Sequence, residues 1–345
     1  MINLEKEIRE QPRVLASLKE KNAHVLKALV NEIKEKRIDN IYFVARGTSD
    51  HACIYAQYLF GVVLGVPCTL GLPSVVTQYG AEIKFGNSLV IGVSQSGRAE
   101  DVNAILEMAN KQNVTTLAIT NYESSLLAKT AKHHLFCNAG EEKSIAATKT
   151  FTSQMYLLAL LCAEWSGNKE LTEALAKVPS QVEETLGYLP EAVAACVTDL
   201  LSYKEAVVLG RGMSYAIALE GALKILETNK MKVKGYPISD FYHGPVAQLH
   251  ENDLAILLAQ GGAIENDSVK MLEKLKAVRA NTVVISDTDK LLNGTSNIKI
   301  NKTNSEFTIP FIFAIAVQLI ALELVLAKGI DPDNSNVIAK ITVTK

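Results

Sequence analysis

The second half of this 345-residue sequence repeats the first at a nearly constant offset, and that duplication constrains the fold more than any other feature. A run leading into Arg46-Gly47-Thr48-Ser49 is matched by Val207-Val208-Leu209-Gly210 leading into Arg211-Gly212-Met213-Ser214, so that Ser49 and Ser214 lie 165 positions apart. The run ending Gly92-Val93-Ser94-Gln95-Ser96-Gly97 is matched by the run ending Leu257-Leu258-Ala259-Gln260-Gly261, with Ser94 and Ala259 again 165 positions apart. A third run, Leu117-Ala118-Ile119-Thr120-Asn121, is echoed by Val283-Val284-Ile285-Ser286-Asp287 at an offset of 166. Three ordered matches in one register describe two copies of one nucleotide-binding-like fold.

The pattern between the matches sets the fold class. Apolar positions recur at helical spacing up to about Lys36, including Val14, Leu15, Leu18, Val25, Leu26, Leu29 and Val30. Beyond it, short β-branched runs (Asn40 to Ala45, Ser88 to Val93, Val114 to Thr120) alternate with amphipathic stretches (Ser49 to Leu64, Ala99 to Lys111). Such alternation predicts an α/β protein whose parallel sheets are flanked by helices in three layers. A long helix is predicted over Thr148 to Trp165, broken at Ser166-Gly167-Asn168-Lys169-Glu170 before more helix to about Leu201. The expected organisation is a helical segment over 1–36, a first Rossmann-like domain over 37–167, a helical linker over 168–201 and a second domain over 202–345.

Charge and cysteine usage narrow the partners. Lys and Arg total 35 against 37 acidic residues, so a net charge of −2 provides no field to draw nucleic acid or an anionic membrane, and a small-molecule partner is expected. Cys53, Cys68, Cys137, Cys162 and Cys196 are odd in number and form no C-x-x-C pair, which points to neither a disulfide framework nor a zinc site. Met1-Ile2-Asn3-Leu4-Glu5 lacks the basic start and apolar run of a signal peptide, and a cytoplasmic location is expected. The most membrane-like stretch, Pro310 to Lys328, is interrupted by Gln318 and Glu323 and reads as a buried core helix.

Chemistry is sought where the two copies differ. The first copy carries Ser94, Gln95 and Ser96 in its strand-to-helix loop, whereas the second keeps Gln260 but has Ala259 and Gly261 in place of the serines. A helix start at the carboxyl edge of a parallel sheet presents unpaired N–H groups to an anion, and hydroxyls add donors, so one phosphate site per chain is expected. On spacing alone the same run is equally a capped helix start. Glu220, Lys224 and Glu227 are spaced four and three apart and share one helix face, a pattern that an exposed ion-pair stripe would also show. By composition alone His243 reads as a structural histidine and Lys340 as a solvated tail lysine.

Six ordered motifs carry a resemblance that spans nearly the whole chain: Arg46-Gly47-Thr48-Ser49, Val93-Ser94-Gln95-Ser96-Gly97, Ala146-Ala147-Thr148-Lys149-Thr150-Phe151-Thr152, Ala218-Leu219-Glu220-Gly221-Ala222-Leu223-Lys224, His243-Gly244-Pro245 and Ala339-Lys340. In these the sequence resembles the sugar isomerase (SIS) domain family, in particular the isomerase half of glucosamine-6-phosphate synthases. Such synthases carry a glutaminase domain whose nucleophile is a cysteine next to the initiating methionine. Ile2 stands there in this chain, so the resemblance implies that it does not itself cleave glutamine. The Gly47-Thr48-Ser49-Asp50-His51-Ala52 variant is similar to stand-alone SIS-type glucosamine-6-phosphate deaminases, which form fructose 6-phosphate and ammonia.

The resemblance also implies roles. Ser49, Ser94, Gln95 and Ser96 would bind the phosphate, with backbone near Ile145 and the side chain of Thr148 close to the sugar and Ala339 beside it. Glu227 would move the proton between C1 and C2, with Lys224 in the catalytic group, and His243 would open the sugar ring in the neighbouring subunit of a homodimer. Lys340 would form a Schiff base with the keto sugar. Neither a metal nor a cofactor is called for. In one departure, the family has Thr or Ser two residues after the loop glycine, and this chain has Ala99, with Arg98 beside it as an alternative source of charge or as an exposed helix-start residue. Rival readings within the fold are a fructosamine 6-phosphate deglycase, an ammonia-dependent synthase-like isomerase and a non-catalytic sugar-phosphate sensor; the joint presence of Glu227, His243 and Lys340 argues against the last.

Overall fold

Each half of the repeat forms a five-stranded sheet in which every pairing is parallel. The computed structural model describes residues 2–333 and Lys340. The first sheet consists of β1 (Asn40–Val44), β2 (Cys68–Leu70), β3 (Ser88–Ser94), β4 (Thr115–Thr120) and β5 (His133–Phe136), in the order β2-β1-β3-β4-β5. The second consists of β6 (Glu205–Gly210), β7 (Lys232–Pro237), β8 (Leu254–Ala259), β9 (Asn281–Ser286) and β10 (Ser296–Lys299), in the order β10-β9-β8-β6-β7, which is the first order read from the other edge. Register follows the repeat: Val44 pairs with Gly92, and Leu209, 165 positions on, pairs with Leu257.

The helices are α1 (Asn3–Lys36), α2 (Thr48–Leu64), α3 (Ser74–Thr77), α4 (Glu100–Lys111), α5 (Leu126–Thr130), α6 (Lys149–Ser166), α7 (Lys169–Leu200), α8 (Met213–Asn229), α9 (Ile238–Phe241), α10 (Glu265–Ala277) and α11 (Ile309–Ala327). The chain divides into two compact units. One, around the first sheet, takes Arg13–Glu142, Lys149–Ala176 and Lys340; the other, around the second sheet, takes 2–12, Lys143–Thr148 and 177–333. The first turns of α1 therefore go with the second sheet, although the rest of that helix goes with the first.

Both copies turn from strand to helix through the same backbone. Gly47, before α2, has φ 54° and ψ −130°, and Gly212, before α8, has φ 58° and ψ −133°. Side chains with a Cβ rarely adopt this region, so Gly at both positions is what allows the tight turn that opens each helix. Every residue of β3 and of β8 is buried, as strands covered on both faces require, and this explains why these central strands read as continuous apolar runs. The edge strands β2, β5, β7 and β10 carry little strand signal in the sequence because they are three to six residues long and incompletely buried.

In the second unit α11 is long and apolar enough to cross a membrane, with mean hydropathy 2.4, yet 89% of that window is buried inside the protein. It packs on α8, and at Gly221 a Cβ would stand 2.9 Å from Val317 Cβ, so the missing side chain is what lets the two helices approach. Gln318, one of the two residues that interrupt the apolar run, accepts a hydrogen bond through Oε1 from Gln11 Nε2 at 2.8 Å, so a buried polar pair ties the start of α1 to α11.

Candidate functional site

In the first unit β1 and β3 are neighbours whose outgoing connections run to helices α2 and α4, and the strand order reverses between them. Such a switch point at the carboxyl edge of a parallel sheet is where ligands bind in open α/β folds. Both sequence-predicted loops end up there: Ser49 in the first turn of α2, and Ser94, Gln95 and Ser96 at the end of β3. Ser49 and Ser94 are buried, whereas Gln95 and Ser96 are half-buried. Ser94 Oγ accepts the Gly97 N–H at 3.1 Å and Ser96 Oγ accepts the Arg98 N–H at 3.3 Å. A hydroxyl that accepts one bond still has its own proton to donate, so this loop is shaped by its serines while they keep donors for an anion.

Helix α4 then starts with Ala99 in extended backbone at its N-cap, without a side-chain cap. The hydroxyl that the family pattern would supply is thus missing from the helix end itself. Arg98 is exposed. Arg46 Nε lies 2.8 Å from Asp101 Oδ2, and the buried Asp101 anchors the guanidinium that leads into the first loop. The second copy repeats this pair as Arg211 Nε to Asp267 Oδ2 at 2.6 Å. Neither pair was anticipated from sequence, although the 165- and 166-residue offsets between their members could have revealed them.

The equivalent loop of the second unit is closed by its own side chains. Gly261 N–H donates to Asp287 Oδ1 at 2.9 Å, Ser214 Oγ donates to Gln260 Oε1 at 3.1 Å, and Gln260 Nε2 donates to the Glu306 carbonyl at 3.3 Å. The first-copy counterpart of Asp287 is the neutral Asn121, whose side chain is engaged elsewhere. Its Oδ1 accepts Ala139 N–H at 2.9 Å and its Nδ2 donates to the Gly140 carbonyl at 2.7 Å. A carboxylate on the second loop repels an incoming anion and takes a donor that the anion would need.

Lys340 lies in the first unit with its ammonium 2.9 Å from Glu142 Oε2. That carboxylate has no exposed side-chain surface and also accepts from Thr150 N–H at 3.1 Å and Thr150 Oγ at 2.7 Å, in the first turn of α6. The lysine that composition alone would leave solvated is therefore largely enclosed, 22% exposed at the side chain, and held by a buried acid. Glu142 had no sequence signal, because 198 residues separate it from its partner. Ala339 lies outside the described residues.

In the second unit α8 carries Glu220, Lys224 and Glu227 on one face, and that face is internal. Side-chain exposure is 0%, 2% and 19% respectively, with Lys224 Nζ 3.4 Å from Glu220 Oε1 and 2.7 Å from Glu227 Oε2. This is no exposed ion-pair stripe. Burial works against the Lys224 charge, but the two carboxylates outweigh it and raise the lysine's pKa above its ordinary value. Glu220 and Lys224 are sealed in, and Glu227 alone reaches partly accessible surface.

Also in this unit, Ile145 is half-buried and Thr148 fully buried on the segment Lys143–Thr148. Backbone N–H groups of Lys143 and Ser144 donate to the carboxylate of Glu7. His243 is exposed, in the turn after α9, its N–H donating to the Asp240 carbonyl at 3.0 Å. Among the described residues no three His, Cys, Asp or Glu side chains converge as a metal site, and the five cysteines are free thiols.

Comparison with known proteins agrees with the duplicated architecture. The sequence model of the SIS domain matches residues 33–163 and 199–328. A glutamine–fructose-6-phosphate aminotransferase (isomerizing) of Thermococcus kodakarensis is 30% identical over 351 residues, covering 97% of this chain and 57% of the relative. The chain thus spans little more than half the length of that curated relative. Among solved structures, the C-terminal domain of a glucosamine-fructose-6-phosphate aminotransferase from Francisella tularensis matches with a TM-score of 0.86 at 24% identity, covering 97% of this chain and 98% of that one. A glucosamine-6-phosphate deaminase from Thermotoga maritima matches with a TM-score of 0.79 at 22% identity, covering 99% of this chain and 100% of that one. At these identities the two structures establish the fold.

Proposed function

The chain belongs to the SIS domain family, and on that premise we propose that it is an enzyme converting glucosamine 6-phosphate and water into fructose 6-phosphate and ammonia. The observation that carries the proposal is the α8 cluster: a partly accessible carboxylate, Glu227, bonded at 2.7 Å to a lysine that a second, wholly buried carboxylate secures. A carboxylate oriented in this way suits the abstraction of a proton next to a carbonyl and its return to the neighbouring carbon. The sugar phosphates in the names of the relatives supply the substrate class.

In this reading Ser49, Ser94, Gln95 and Ser96 hold the phosphate, and the closed second loop leaves the chain with one phosphate site. The Ile145 backbone and Thr148 contact the sugar. His243, exposed on its own chain, opens the ring in the site of a second copy by moving a proton to the ring oxygen. Glu227 removes the C2 proton of the open-chain aldehyde and delivers it to C1, while a proton lost from the C2 amine goes to O1, so that C1 becomes a hydroxymethyl carbon and C2 an imine. Lys340 transfers its ammonium proton towards Glu142, adds to C2 and expels ammonia; water then hydrolyses the enzyme-bound imine and releases fructose 6-phosphate. Water is the only co-reactant consumed.

Purified protein incubated with glucosamine 6-phosphate should release ammonia and fructose 6-phosphate in equal amounts. Release of neither overturns the reading. Turnover of fructosamine 6-phosphate alone would identify a deglycase, and net synthesis from fructose 6-phosphate and ammonium an ammonia-dependent isomerase.

A further inference from the structure

We propose that Glu7 is a positioning residue that pins the backbone of Lys143 and Ser144 and thereby sets Ile145 and Thr148 for the sugar. The proposal deepens the reading above and rests on its assignment of Ile145 and Thr148.

Three observations within the second unit carry it. Glu7 is delivered by a firmly seated helix: Leu4, Ile8 and Gln11 on the first turns of α1 are buried, and Gln11 is bonded to Gln318 of α11. Its carboxylate, on a residue only 3% exposed, accepts the Lys143 N–H at 2.5 Å and the Ser144 N–H at 3.3 Å to both oxygens. Two successive amides aimed at one anion form a backbone cradle, and a charged acceptor there is about twice as strong as a neutral one. Lastly, the segment between β5 and α6 has no sheet ladder, and the wholly buried Ser144 hydroxyl has no hydrogen-bond partner among the described residues. Its own side chain does not fix its place, so the contribution of Glu7, from 137 residues away, matters more.

The test is Glu7→Gln, which keeps the size and one acceptor oxygen but presents an amide NH2 where the second acceptor was. The expected result is faster amide hydrogen exchange confined to 143–148, an unchanged affinity for inorganic phosphate, and a kcat for glucosamine 6-phosphate lowered about ten- to a hundred-fold, the range expected for losing a charge-assisted bond. Unchanged exchange overturns the proposal, and so does faster exchange with unchanged kcat, which would make Glu7 structural only. Should Glu7→Gln fail to fold, Glu7→Asp, which keeps the charge but withdraws it by one methylene, carries the same measurements. If wild-type protein does not turn over glucosamine 6-phosphate, the proposed reaction falls, while locally faster exchange in the variant still upholds the clamp and unchanged exchange still removes it.

Discussion

Lys224 Nζ stands 2.7 Å from Glu227 Oε2, one helical turn apart on α8, and the lysine is sealed from solvent while the glutamate is not. The pair thus has an inner, fixed member and an outer, available one. Replacing Glu227 with Gln removes the base and leaves its shape, so turnover should fall by about 10²- to 10⁴-fold, the usual contribution of a positioned acid or base. Glucosamine 6-phosphate should still bind, as followed by calorimetry. Ammonia release at the wild-type rate would remove Glu227 from the mechanism.

Glu220 has the opposite character. It lies wholly inside, 3.4 Å from Lys224, and neutralising one partner of a buried charge cluster leaves the rest poorly compensated. Glu220→Gln should therefore destabilise the fold by about 3–5 kcal/mol, read as a lower urea midpoint at constant m-value. A midpoint shift within error would show that Glu227 suffices to hold the lysine.

Ala99 occupies the N-cap of α4 in extended backbone, the conformation in which Thr and Ser caps work. Ala99→Thr should add about 1 kcal/mol of stability and tighten phosphosugar binding by supplying the hydroxyl that the loop lacks. Thermal unfolding with and without ligand separates the two effects. A variant that is stabilised but binds no tighter would place the phosphate away from this helix end.

Glu32 on α1 accepts from Lys132 Nζ at 2.7 Å and Thr115 Oγ at 2.9 Å, with Lys36 Nζ at 2.9 Å and His133 Nε2 at 2.7 Å completing its surroundings. Burial alone would raise its pKa, but these donors outweigh burial and hold the carboxyl far below its usual range. A depressed folded-state pKa contributes stability above the unfolded value of about 4.3 and loses it as the pH falls below that value. The urea midpoint should accordingly decline from pH 5 to pH 3, and Glu32→Gln should flatten that decline. Identical slopes for the two proteins would count against the network.

Much of the fold was legible in the chain. Matches 165 positions apart located the central strands of both sheets, and the observed pairings Val44 to Gly92 and Leu209 to Leu257 keep that offset. The edge strands stayed hidden because short, half-exposed segments carry little periodic signal. Arg46 with Asp101 and Arg211 with Asp267 were discoverable from the repeat, whereas Asp287 closing the second loop was not, since Asn121 and Asp287 look like ordinary strand-end residues until their partners are known.

What the sequence determined by itself is local and periodic: two strand-glycine-helix turns, a serine-rich loop in one copy only, and an acid, a lysine and an acid on one helix face. Whether that face was solvated or sealed, whether Lys340 was a free tail lysine or the partner of a buried Glu142, and whether Glu7 met Lys143 and Ser144 were decided only by tertiary structure. These contacts join residues 136 to 198 positions apart or depend on what covers a helix. Their energy comes from taking charges out of water and pairing them, a property of the packed surroundings that no spacing along the chain encodes.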